Sequence, residues 1–161
     1  MYMSQLDVSK IKNRRIKADI LMIHKFQQKY NNELCKLVDY GEDYIKIQLK
    51  FTNKKLIVLL KFPVDYPWKV PNIFVNDVKY INLLKIHQDF LKMIGLYNTC
   101  LCCFTYVCGN NWFPVTKLTS LISEIRDNVK LKRRIVDKIF CKYIIKKYFW
   151  DSYPLPISDF L

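Results

Sequence analysis

Three prolines, Pro63, Pro67 and Pro71, follow one another at four-residue steps directly after an apolar run that ends at Phe62. Proline fixes φ near −65° and has no N–H to donate, so it cannot sit inside a sheet ladder or a helix interior. It also pushes the residue before it into an extended conformation. Pro63 therefore closes the strand that ends at Phe62. Between the prolines stand Tyr66 and Trp68, each a large apolar body with one polar atom. Side chains of that kind favour packing over free solvation. The segment reads as a stiff, irregular flap pressed on a sheet.

The residues on either side show what the flap connects. Ile45, Ile47, Leu49 and Phe51 alternate with Tyr44, Lys46, Gln48 and Lys50, the period-two pattern of a strand with one wet face. Thr52-Asn53-Lys54 is a turn signal, and Leu56 to Phe62 is nearly all apolar, as expected for a central strand covered on both faces. A further short strand covers Ile73 to Val75, which gives an antiparallel meander of about four strands. Ahead of it, Ile16, Ile20, Ile23 and Phe26 mark an amphipathic helix over residues 8–30, capped by Asp7 or Ser9 and stopped at Asn31-Asn32. After the flap, residues 79–94 read as a short helix, followed by a loop rich in cysteine. Leu118, Leu121, Ile122 and Ile125 predict a helix over 116–127. Ile135, Ile139, Tyr143 and Ile144 predict another over 131–150, ended by Pro154 and Pro156. Helices gathered at the ends of an antiparallel sheet are α+β architecture. The expectation is one domain over 1–161, with its core in 8–150 and a tail over 151–161. No apolar run reaches the roughly 18–20 residues that span a bilayer, and Met1 to Lys10 lacks a signal-peptide core. A cytoplasmic protein without a membrane partner is expected.

Four quoted stretches resemble ubiquitin-conjugating enzymes. Phe62-Pro63-Val64-Asp65-Tyr66-Pro67-Trp68-Lys69-Val70-Pro71 is similar to that family's Phe-Pro-x-x-Tyr-Pro-Phe-x-Pro-Pro segment. Asn13 to Ile20, with its paired arginines, resembles the start of the family's first helix. Cys100-Leu101 resembles its catalytic Cys-Leu, and Trp112-Phe113-Pro114 its Trp-Ser-Pro. The order agrees and covers residues 13–128. The pattern is also similar to divergent ubiquitin-conjugating-like proteins of large DNA viruses, which would place the chain in host cytoplasm or a virion.

The resemblance implies a transferase without a cofactor. Ubiquitin, or a ubiquitin-like modifier, would be received from an activating enzyme as a thioester on Cys100, with Cys103 as the fallback, and passed to a lysine with the help of a ligase. Such chemistry needs an accessible thiolate and a donor to the oxyanion. The family's His-Pro-Asn donor motif is absent. His87-Gln88-Asp89 is the nearest echo, so Asp89 and Asn98 are the candidate supports. Tyr66, Pro67, Pro71, Trp112 and Pro114 would hold the flap and loop. Arg14, Pro63 and Trp68 would contact activating enzyme and ligase.

The residues themselves leave other readings open. Cys100, Cys102, Cys103 and Cys108 fall within nine positions. Four thiolates at about 2.3 Å can hold a structural zinc, although this spacing is not the paired Cys-x-x-Cys arrangement. Alternatively they are structural thiols, like Cys35 and Cys141, in an inactive variant or an RWD-type interaction domain. The formal charge of +13 favours anionic partners. Lysine far outnumbers arginine and Ala18 is the only alanine, a bias that AT-rich codons produce. The basic run from Lys130 to Lys147 leaves a nucleic-acid-associated protein as a third reading, without any groove-entering motif.

Overall fold

The computed structural model describes residues 7–30, 35–51, 54–96, 100–108 and 111–148. Helix α1 runs from Arg14 to Lys29. It begins later than the apolar spacing suggests because Asn13 takes the cap. Its Oδ1 accepts from the Arg15 N–H at 2.9 Å and the Ile16 N–H at 3.2 Å. The Asp7 carboxylate instead binds the Ser9 N–H and hydroxyl, which makes a local turn. Ile16, Ile20 and Ile23 are buried on one face. Asp19 lies on that same face and is fully buried.

Five antiparallel strands follow, and each pairs with its neighbour in sequence: β1 Cys35–Tyr40, β2 Tyr44–Phe51, β3 Lys54–Lys61, β4 Asn72–Val75 and β5 Val78–Lys79. The alternation in β2 does what it predicts. Ile45, Ile47 and Leu49 are buried and stand opposite Leu60, Val58 and Leu56 of β3. Ile73 and Val75 of β4 extend the same layer opposite Leu60 and Val58. The edge strand β1 has no clean alternation, because its register shifts between Leu37 and Asp39. A bulge of that kind breaks the period that strand recognition rests on. Asn76 and Asp77 both adopt positive φ, 47° and 66°, in the tight turn between β4 and β5. Asn and Asp tolerate that conformation best after glycine.

The segment expected as one helix over 79–94 is two, α2 Tyr80–Leu83 and α3 Gln88–Met93. Tyr80 and Leu84 are buried in the main core, whereas Leu91 is buried outside it, where α3 meets the last helix. The chain must change direction between these two sites. His87 does so in extended conformation ahead of α3.

The opposite correction applies to the two helices expected over 116–127 and 131–150. Leu118–Tyr148 is one helix, α4, of 31 residues, about 46 Å long at 1.5 Å per residue. No glycine or proline interrupts it, and Asn128 does not act as a stop. Its Nδ2 points inward and donates to the Tyr80 hydroxyl at 2.9 Å. Leu118, Leu121, Ile122 and Ile125 of α4 join Ile16, Ile20, Ile23 and the buried sheet residues in one core. Beyond Ile135 the same helix face continues as Val136, Phe140 and Tyr143, all exposed, so α4 projects past the core. Among the described residues, no helix is long and apolar enough to cross a membrane. The fold is α+β, with an N-terminal helix, a five-stranded antiparallel sheet and a C-terminal helix.

Candidate functional site

The flap folds by two short turns, Tyr66 N–H to the Pro63 carbonyl at 3.0 Å and Trp68 N–H to the Asp65 carbonyl at 2.7 Å, with a cis peptide between Tyr66 and Pro67. Tyr66 is buried and its ring lies 4.6 Å from that of Phe62. Its hydroxyl donates to Asp19 Oδ2 at 2.6 Å, and Arg15 Nε donates to the same oxygen at 3.0 Å. Arg15 also reaches across to the Thr116 carbonyl, 2.9 Å from Nη2. One buried carboxylate thus joins α1, the flap and the approach to α4. Burial raises the Asp19 pKa, while the hydrogen bond from Tyr66 and the Arg15 charge oppose that rise. Burial, then Asp19, pushes the Tyr66 hydroxyl well above the ordinary phenol range.

A second tie connects the flap to the next loop. Trp112 Nε1 donates to the Pro67 carbonyl at 2.8 Å, and its ring lies 6.3 Å from Tyr66. Pro71 is buried. With Val70, Tyr80 and Val107 it lines a cavity of about 240 Å³ beside the cysteine loop. Pro114 is half-buried in the bend between Trp112 and α4. Tyr66, Pro67 and Trp112 are therefore brought into one contact, and Pro71 shares the lining of that cavity with Val107 of the loop.

The cysteine loop is a series of turns. Cys103 N–H bonds the Cys100 carbonyl at 3.4 Å, Thr105 N–H the Cys102 carbonyl at 3.0 Å, and Cys108 N–H the Thr105 carbonyl at 3.1 Å. The fully buried Thr105 adds its hydroxyl to the Cys102 carbonyl at 2.8 Å. Asn111 Nδ2 donates to the Cys103 and Thr105 carbonyls. Glu124 of α4 holds the loop from below, its Oε2 accepting from the Tyr106 N–H at 2.9 Å. Leu101, Cys102, Tyr106 and Val107 pack against the core.

These turns gather the sulfurs of Cys100, Cys102 and Cys103 within 4.8 Å of one another. Cys100 is half-buried and Cys103 exposed. Hydrogen bonds from the Cys102 and Cys103 thiols, helped by their backbone N–H groups, bring the Cys100 pKa down to about 7. Consecutive N–H groups directed at one atom form an anion-binding nest. The stabilisation is one-sided. Cys102 is pushed up to about 12, chiefly by its hydrogen bond to Cys100, and Cys103 rises for the same reason. Cys100 is therefore the most readily ionised thiol of the set, with Cys102 and Cys103 as its donors.

The remaining candidates are scattered. Asp89 is exposed in the first turn of α3, where His87 Nδ1 at 3.2 Å and Lys92 at 3.8 Å take its carboxylate. Asn98 lies outside the described residues. Arg14 is exposed at the start of α1, Pro63 is half-buried and Trp68 is 77% exposed. Cys108 is half-buried near the three-sulfur cluster, close enough to interact electrostatically with Cys102 and Cys103. Cys35 is a core thiol as expected. Cys141 is not, since it is exposed where α4 projects beyond the core. Sequence reasoning passed over Arg15, Asp19, Asn111 and Glu124. Asp19 and Glu124 had a signal, because each is a carboxylate flanked by buried isoleucine or leucine at helical spacing. Compared with known proteins, the chain matches no family model, no curated protein and no solved structure.

Proposed function

We propose that this chain is a cytoplasmic ubiquitin-conjugating-type carrier with Cys100 as its acyl-accepting nucleophile. The observation that carries the reading is the state of Cys100: partly accessible, near neutral in pKa, and on a loop tied to a proline flap through Trp112 and Pro67. The element order of helix, sequential antiparallel strands, flap, cysteine loop and helix agrees with the architecture that the resemblance implies.

The Cys100 thiolate attacks the thioester carbonyl that joins a modifier to its activating enzyme. A new C–S bond forms, and the donor cysteine leaves as thiolate. A substrate lysine amine then attacks the Cys100 thioester. The C–N bond forms, the C–S bond breaks, the amine proton goes to solvent and Cys100 is released as thiolate. A thiol that titrates near 7 serves both halves, since it is ionised for attack and a good leaving group. Asp89 is paired elsewhere, and the Cys102 and Cys103 N–H groups, already directed at the Cys100 sulfur, would supply the dipoles for the developing oxyanion.

Incubation with activating enzyme, ATP and ubiquitin should give a reductant-sensitive adduct. Cys100→Ala should abolish it and Cys103→Ala should leave it. A folded wild-type protein that forms no adduct beside a working control refutes the reading for that modifier. A second reading, a binding module of the same architecture, draws on exposed apolar side chains of the flap and cysteine loop, Trp68 at 77% and Phe104 at 89%. It predicts partner capture that Cys100→Ala leaves intact.

A further inference from the structure

An acyl carrier needs one sulfur, and this loop presents three. Neighbours in an extended chain point to opposite sides, so Cys102 and Cys103 would diverge in a strand. The turns from Cys100 to Thr105 prevent this and bring the three sulfurs within 4.8 Å of one another. An ion equidistant from three sulfurs at that limiting separation sits about 2.8 Å from each, against about 2.3 Å in a zinc–thiolate bond. Closing the difference takes about half an ångström of movement per sulfur, within reach of small χ1 rotations.

The scaffold is set without the ion. The carbonyls of Cys100, Cys102 and Cys103 are all engaged inside the loop, by Cys103, Thr105 and Asn111. Thr105 anchors it to the core side, while the exposed Cys103 leaves a solvent path to the cluster. Thiolates select soft or borderline ions over magnesium and calcium.

We propose that Cys100, Cys102 and Cys103 bind one zinc(II) ion through their three sulfurs, with the fourth coordination position open to solvent. This goes beyond the acyl-transfer reading and does not rest on it. The two states exclude each other, because an ion on Cys100 withdraws the sulfur from attack. For the carrier reading, bound zinc would therefore block acyl transfer to Cys100.

The test uses the full chain, reduced and stripped of metal, with no modifier present. Zinc is titrated, bound metal is counted by mass spectrometry, and each cysteine is scored for alkylation. One zinc per chain is expected, with loss of alkylation at Cys100, Cys102 and Cys103. Cys141, exposed and remote in sequence, is the internal control and should stay reactive. Cobalt(II) should give the intense visible bands of a four-coordinate thiolate site. Cys102→Ala and Cys103→Ala should lose stoichiometric binding, and Cys108→Ala should keep it. Far-UV circular dichroism confirms that each variant is folded, and the protection pattern of the wild type stands without any variant. Absence of stoichiometric uptake, equal protection of Cys141, retention in Cys102→Ala or loss in Cys108→Ala overturns the site. Because no modifier is used, failure here leaves the adduct assay untouched, and failure of the adduct assay leaves this one untouched.

Discussion

Alkylation of Cys100 as a function of pH tests the account of the loop directly. Replacing Cys102 and Cys103 together by alanine removes both thiol donors and leaves the backbone ones, so the Cys100 pKa returns from about 7 toward the ordinary 9.0. At pH 7 a thiol of pKa 7 is half ionised, and one of pKa 9 is ionised to about one part in a hundred. Thiolate nucleophilicity falls with pKa at a Brønsted slope of about 0.4–0.5, which gives back roughly eightfold over two units. The wild type should therefore react about sixfold faster at pH 7, as an upper figure because the backbone donors remain. The sign then reverses. Above roughly pH 8 the ionisation advantage of the wild type falls below the roughly eightfold nucleophilicity advantage of the variant's more basic thiolate, and the variant becomes the faster. The assay is iodoacetamide labelling at limiting reagent, quantified on the Cys100 peptide by mass spectrometry. The reactive form of the wild type should be present above pH 7 and lost as the pH falls through it. A wild-type midpoint above about 8.5, or two profiles that coincide, refutes the donor arrangement.

Tyr66→Phe deletes the donor to the buried Asp19 carboxylate. Hydrogen bonds to charged groups are worth about 1.5–3 kcal/mol, and urea denaturation should show a loss of that size. Because the hydroxyl stabilises the ionised carboxylate, the deficit should be full above the raised Asp19 pKa and shrink as the pH falls through it. A pH-independent deficit contradicts the pairing. Leu131→Pro falls inside the continuous α4 at an exposed position. It should cost about 3 kcal/mol or more and lower the helical signal, whereas tolerance would mean that two helices meet there.

The periodic parts of the chain were legible and the parts set by side-chain bonds were not. Ile45, Ile47 and Leu49 alternate because one face of β2 is buried, so period and burial give the same answer. The start of α1 was misplaced because Asp7, Ser9 and Asn13 are all good caps. Only the fold shows that Asn13 meets the free N–H groups. Two helices are expected on either side of residues 128–130 because the two apolar sets read separately, and the inward bond of Asn128 to Tyr80 is a tertiary fact. In the site, the cysteine loop and the flap stood out by composition. Their connection did not, because Trp112 to Pro67 and Arg15 to Thr116 are bonds to backbone carbonyls, and a carbonyl leaves no mark on residue identity. Asp19 was the missed clue, a charge on the buried stripe of a helix.

The sheet pairs each strand with the next in sequence, from β1 to β5, so it assembles through short loop closures. The bonds that join α1, the flap and the approach to α4 run much further along the chain. Arg15 and Thr116 are 101 positions apart, Asp19 and Tyr66 are 47, and Pro67 and Trp112 are 45. Closing longer loops costs more entropy before any contact repays it. The meander therefore closes over short stretches of chain, whereas the flap is tied down only where α1 and Trp112 reach it. Loss of a single side chain such as Asp19 or Trp112 therefore unties stretches of chain that no strand pairing connects.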